Sequence, residues 1–140
     1  MHSFKGLAHI GLYSGDVEET INFYTSNFDF QVVNERTIEK PDHQWVKVAM
    51  LALNGMTLEV IEHSDKSLHK TGNGGCVDHV AIEVENLPEI VTAIRAKGHQ
   101  FRTEEPVVNM EMLGGARYIY LSGPSGESIE LFELLSRNVH

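Results

Sequence analysis

The chain repeats itself. A shift of 70 residues carries His9 onto His79, Ile10 onto Val80, Leu12 onto Ile82, Asp16 onto Asn86 and Glu19 onto Glu89. A shift of 71 carries Gly55 onto Gly126, Glu59 onto Glu130 and Glu62 onto Glu133. The matches hold their order with one residue of slippage, which chance rarely gives. A chain of 140 residues fits one compact domain or two small, tightly joined halves. The repeat selects two halves of about 70 residues, each opening on a His strand and closing on a Glu strand.

Both halves follow one plan. In the first, a strand over Leu7 to Tyr13 leads to a helix starting at Asp16, an N-cap with Glu19 three residues on. Val17, Ile21, Tyr24 and Phe28 recur at helical spacing and form one apolar face. Strand-like runs follow at Phe30 to Thr37, Trp45 to Leu53 and Met56 to Ile61, the last two joined by the hairpin signal "LNGM". In the second half the strand is Val77 to Val84 and Asn86 is the expected cap. Leu87, Val91 and Ile94 make the stripe, and Gly98 supplies a left-handed stop. Strands are expected at Gln100 to Thr103, Ala116 to Leu121 and Ser128 to Leu134. Glu105 to Gly115 reads as a loop, either a lid or a solvated connection. The domain reading is module 1 over 5–62, a polar linker over 63–75 and module 2 over 76–135.

Strand side chains alternate, so parity sorts the charged residues. Ala8, Ile10 and Leu12 belong against the helix, which leaves His9 on the opposite face. Leu58 and Val60 likewise oppose Glu59, Val80 and Ile82 oppose His79, and Ile129 and Leu131 oppose Glu130. A buried carboxylate without a partner is costly, so Glu130 within an apolar strand needs a cation or a proton. Two imidazoles and two carboxylates suit a borderline divalent ion: Zn, Ni, Co, Mn or Fe(II). His9, Glu59, His79 and Glu130 are the expected metal ligands. Glu62 and Glu133, three residues further along, fall on the wrong face and read as solvated strand-end carboxylates.

The remaining residues exclude several classes. A net charge of −9 without a basic cluster argues against nucleic acid and anionic membrane as partners. No apolar run approaches the ~18 residues of a membrane helix, and "MHSFKGLAH" lacks the features of a signal peptide, so a cytoplasmic location is expected. The single cysteine, Cys76, rules out an internal disulfide framework and reads as a small packing residue. Trp45 reads as packing. His2, His43, His63, His69, His99 and His140 read as solvated. Arg36 and Arg117 are candidates to hold an anionic group, and one parity set of the Tyr118–Tyr120 strand is a candidate cavity lining.

With these residues in view, the chain resembles the glyoxalase, bleomycin-resistance and extradiol-dioxygenase superfamily, the vicinal oxygen chelate proteins. The resemblance rests on "HIGLYSGDVEETINFYTSNFDFQVV", "DHVAIEVENLPEIVTAIRAKG" and "GPSGESIELFE", and it spans nearly the whole chain. It implies an α+β fold: two βαβββ modules forming a cupped, curled mixed sheet with helices on the outside. It places the family's metal positions on His9, Glu59, His79 and Glu130. That full set is similar to glyoxalase I, a lactoylglutathione lyase, which implies a metal-dependent lyase or isomerase. Such an enzyme abstracts a proton next to a carbonyl of a chelated small molecule. Glu130 is the first choice of catalytic base and Glu59 the second. A homodimer is implied as well. Relatives of other kinds include methylmalonyl-CoA epimerase-like isomerases, non-catalytic binding or resistance proteins, and ring-cleaving extradiol dioxygenases. The chain departs from glyoxalase I at three points. Tyr13 stands where an arginine often holds the glutathione carboxylate. His63 stands where an asparagine is usual, and "FD" (Phe28–Asp29) replaces the usual "LG".

Overall fold

The computed structural model describes residues 8–68 and 79–135. The chain divides into two compact units, Met1–Thr71 and Gly72–His140. Unit 1 runs β1 (Ile10–Tyr13), α1 (Val17–Asn27), β2 (Gln31–Glu39), β3 (Trp45–Leu53) and β4 (Met56–His63), followed by a 3₁₀ turn at Lys66–Leu68. Unit 2 runs β5 (Val80–Glu83), α2 (Leu87–Ala96), β6 (Val107–Asn109), β7 (Ala116–Ser122) and β8 (Ser128–Leu134). The sheet orders are β1-β4-β3-β2 and β5-β8-β7-β6. In each sheet the first strand lies parallel to the last, and the remaining pairs are antiparallel. The repeat in sequence is therefore a repeat in topology, strand–helix–strand–strand–strand twice over.

Each helix covers one face of its own sheet. Val17, Ile21, Tyr24 and Phe28 of the α1 segment are buried with Leu51, Leu58 and Val60 of the sheet. Tyr24 meets Phe23, Phe28 and Phe30 edge-on at 5.4–5.6 Å between ring centroids, the geometry aromatic rings prefer. In unit 2, Leu87, Val91 and Ile94 are buried with Ile119, Leu121, Ile129 and Leu131. Each fully buried Leu or Ile contributes roughly 1.5–3 kcal/mol relative to exposure, so these two stripes fix the register of helix on sheet.

The "LNGM" hairpin forms as expected. Asn54 and Gly55 both take positive φ, 44° and 85°, as a two-residue turn between twisted strands requires. Gly98, at φ 93°, closes the end of α2, its N–H donating to the Arg95 carbonyl at 2.9 Å.

Two elements of unit 2 differ from expectation. Gln100 to Thr103 forms no strand; Phe101 makes a single bridge to Leu121. The edge strand is instead β6, inside the stretch expected to be loop, pairing Val107 with Tyr118 and Asn109 with Ala116. Edge pairing is decided by where the chain returns to the sheet, and local propensity in either segment was too weak to choose. Cys76, His2, His69 and His140 lie outside the described residues. His63 is not solvated: it ends β4 half-buried, its ring 5.8 Å from that of Tyr13. His99 is also half-buried, whereas His43 is exposed. Trp45 is half-buried, with the Lys47 ammonium 4.8 Å from its ring centroid.

Candidate functional site

The sheet order explains why histidine and glutamate meet. The strand that follows His9 lies directly beside the strand that carries Glu59, with Gly11 paired to Glu59. The strand that follows His79 lies beside the one that carries Glu130, with Ala81 paired to Glu130. Each His stands two residues before the residue paired to its Glu, so it shares that face. Burial follows the same parity. Val80 and Ile82 are buried while Ala81 and Glu83 are exposed, and Leu58 and Val60 are buried while Glu59 and Ile61 are half-buried.

In unit 1, His9 Nε2 lies 3.7 Å from Glu59 Oε1. In unit 2, His79 Nε2 lies 3.1 Å from Glu130 Oε1. The Glu130 side chain is only 8 % exposed, and His79 is its one polar partner among the described residues. A carboxylate has about four lone-pair sites, and His79 addresses one of them. The His79 ring stands edge-on to Tyr120 at 5.4 Å, and Tyr120 is the direct cross-strand neighbour of Glu130. Tyr118 and Tyr120 thus lie on the Glu130 face, which answers which set lines it.

The donor set suits a divalent ion. Two ligand atoms at ~2.1 Å from one ion and at right angles lie about 3.0 Å apart, close to the 3.1 Å of the His79–Glu130 pair and shorter than the 3.7 Å of the His9–Glu59 pair. Among the described residues, no three or more His, Cys, Asp or Glu side chains are gathered tightly enough to hold a metal ion. Each unit contributes one pair.

Glu62 and Glu133 were expected to be solvated. They are not. Glu62 is buried, and its Oε1 accepts the Val17 N–H at 2.9 Å, at the start of α1. Glu133 accepts the N–H groups of Asn86 at 2.8 Å and Leu87 at 3.2 Å, at the start of α2. Parity places both on the helix side, and there the exposed N–H groups and dipole of a helix N-terminus favour an anion. Lys66 Nζ lies 2.6 Å from Glu62 and Arg117 Nε bonds Glu133. Burial pushes the Glu133 carboxyl up, but the Arg117 bond and the two backbone N–H donors together hold it below the usual glutamate value. Arg117 is accordingly a structural partner on the helix side, not a substrate arginine on the open face. Asn86 makes no side-chain cap; it takes φ 60° and leaves capping to Glu133. Asp16 does cap, accepting the Glu19 N–H at 3.2 Å. Its own N–H goes to Ser14 Oγ, so the return half of a capping box is replaced.

One residue of the open face escaped the sequence reading. Arg102 Nη2 donates to Ser122 Oγ at 3.1 Å and Ser128 Oγ at 2.8 Å, and its guanidinium lies 5.8 Å from the Tyr120 ring centroid. The alternation of β7 and β8 could have flagged the serines, but nothing in the sequence located the arginine above them. Arg36 pairs in register with Val48, whose β4 neighbour is Ile61, on the Glu59 face.

The family profile "Glyoxalase/Bleomycin resistance protein/Dioxygenase superfamily" matches residues 6–131, and the chain belongs to that superfamily. The lactoylglutathione lyase of Escherichia coli O157:H7 is 31 % identical over 130 residues, covering 91 % of each chain. A putative lactoylglutathione lyase of Brassica oleracea var. gemmifera is 28 % identical over 127 residues; the match covers 89 % of this chain and only 43 % of that protein. Among solved structures, the fosfomycin resistance protein FosX from Listeria monocytogenes, complexed with Mn(II) and sulfate, superposes with a TM-score of 0.71. It is 17 % identical and 98 % of each chain is covered, so it shares the fold. The fold is the α+β architecture of this superfamily. No helix among the described residues is long and apolar enough to cross a membrane.

Proposed function

We propose that this protein is a metal-dependent lyase or isomerase of the glyoxalase I type, with His9, Glu59, His79 and Glu130 as ligands of one divalent ion. The observation that carries the reading is the duplicated His–Glu pair, once on the helix-free face of each sheet. The lactoylglutathione lyases at about 30 % identity support the lyase class.

The bound ion would act as a Lewis acid on vicinal oxygens of the substrate, stabilising charge on a developing enediolate. Glu130 takes the proton from the carbon next to the carbonyl and returns it to the neighbouring carbon. Its burial keeps bulk water from competing for that proton. His79, backed edge-on by Tyr120, orients the carboxylate. Glu59 is more exposed, at 24 %, and is the second choice of base. Tyr13 and His63 occupy the two positions where glyoxalase I enzymes hold glutathione, and here their rings contact each other. The substrate is therefore assigned by chemistry, a small molecule with vicinal oxygens beside an acidic C–H, rather than as a glutathione adduct.

The test joins metal analysis with isotope exchange. Protein purified without added ions, then loaded with Zn or Ni, is assayed on 2-oxoaldehyde hemithioacetals and 2-hydroxycarbonyl compounds in deuterated water. Glu130→Gln should lower turnover by about 10²- to 10⁴-fold with an unchanged circular dichroism spectrum. Absence of stoichiometric metal, or undiminished exchange in the variant, would sink the reading.

A further inference from the structure

Arg102 follows the left-handed turn at Gly98 and is pinned at both ends. Its backbone N–H donates to the Tyr120 carbonyl at 2.9 Å, and its neighbour Phe101 bridges to Leu121. Its guanidinium is held by Ser122 and Ser128, which pair directly across β7 and β8. Ser128 lies two residues from Glu130 on the same face, a separation of about 7 Å along a strand. Tyr120 lies between them: it is the cross-strand neighbour of Glu130, touches His79, and sits under the Arg102 guanidinium. The arginine thus belongs to the same patch as the His79–Glu130 pair.

Its partners are neutral side-chain hydroxyls, whereas two other arginines of this unit meet a carboxylate or backbone carbonyls. Arg117 is paired to Glu133, and Arg95 donates to the carbonyls of Thr103 and Glu104. Arg102 has no carboxylate within ion-pair distance among the described residues; it is held by neutral hydroxyls alone. Both contacts use Nη2, which leaves Nε–H and the Nη1 hydrogens of its five donors. Hydroxyls position a guanidinium without cancelling its charge. The side chain is also exposed, so it is reachable from solution.

We infer that Arg102 binds an anionic oxygen group of the substrate, a carboxylate or a phosphonate-type oxyanion, beside the His79–Glu130 pair. This deepens the metal-site reading above and rests on it: the substrate carries a negative group a few bonds from the oxygens it presents for chelation. Tyr120 and the two serines act as positioning residues for that contact.

Three hydroxamate chelators share one metal-binding head: neutral acetohydroxamate, carboxylate-bearing succinomonohydroxamate and phosphonoacetohydroxamate. Their affinities for the Zn- or Ni-loaded protein are compared by calorimetry. The wild type should bind at least one anionic chelator about tenfold or more tighter than the neutral one, the scale of a charge-assisted hydrogen bond. Which anion is preferred assigns the group. Arg102→Gln should erase the preference and leave acetohydroxamate affinity unchanged; Arg102→Lys should keep part of it. A wild type without preference, or a preference that survives in Arg102→Gln, overturns the inference. Failure to take up metal would instead strike the reading above. The binding of succinate and inorganic phosphate to the metal-free protein, and its loss in Arg102→Gln, then decides the role of Arg102 alone.

Discussion

Removing the Glu133 carboxylate tests whether the end of β8 anchors α2. In Glu133→Ala the Asn86 and Leu87 N–H groups lose their acceptor, and Arg117 loses its partner. Loss of a helix N-cap costs roughly 0.5–2 kcal/mol. The ion pair adds about 1 kcal/mol, discounted because the Arg117 side chain is 31 % exposed. Together these predict a loss of about 1.5–3 kcal/mol, or roughly 4–9 °C in melting temperature for a chain of this length. Urea denaturation followed by circular dichroism measures it. The pH dependence adds a sign. The folded carboxyl titrates below its usual value of 4.5, so its stabilisation is fully present above 4.5 and is lost as pH falls through the lower folded value. The advantage of wild type over Glu133→Gln should stay constant from neutral pH down to about 4.5 and shrink below it. A Glu133→Ala protein within about 0.5 kcal/mol of wild type, the range of an ordinary surface change, would refute the capping argument.

Glu62→Ala should cost unit 1 a comparable amount, whereas Lys66→Ala should cost about 0–1 kcal/mol, since the lysine side chain is 51 % exposed; both are read from urea midpoints. Gly55→Ala should destabilise by about 1–2 kcal/mol through its positive φ alone, because an added Cβ there meets nothing within 4 Å. Asp29 sits at φ 61°, so Asp29→Gly should be neutral to stabilising by up to about 1 kcal/mol in the same assay. His79→Ala should weaken zinc binding in a competition titration with a chromogenic chelator and, by taking from the buried Glu130 carboxylate its polar partner, lower the melting temperature of the metal-free protein by about 3–9 °C.

Much of this was legible in the residues. Period-2 parity put His9, Glu59, His79 and Glu130 on the faces away from the helices, because Ile10, Leu58, Val80 and Ile129 had nowhere else to go. The same parity put Glu62 and Glu133 on the helix side, but it carries no information about what waits there. That each meets a helix N-terminus depends on how the helix packs back across the sheet. Asn86 looked like a cap by residue type and lost that role to a carboxylate 47 residues away. β6 was missed because a three-residue edge strand is stabilised by its neighbour rather than by its own sequence. Arg102 was missed for a related reason: its place is set by the turn after α2 and by two serines on other strands.

The last strand of each unit carries two acids three positions apart, one turned to the helix and one to the open side. This separates durability from chemistry within a single strand. The inner acid braces the architecture and constrains any descendant that must still fold. The outer acid can be exchanged for another side chain, or lost, without loosening that brace. A lineage that copies such a unit inherits a scaffold on which reactivity can drift, and a superfamily of lyases, oxygenases and resistance proteins is what that freedom would produce.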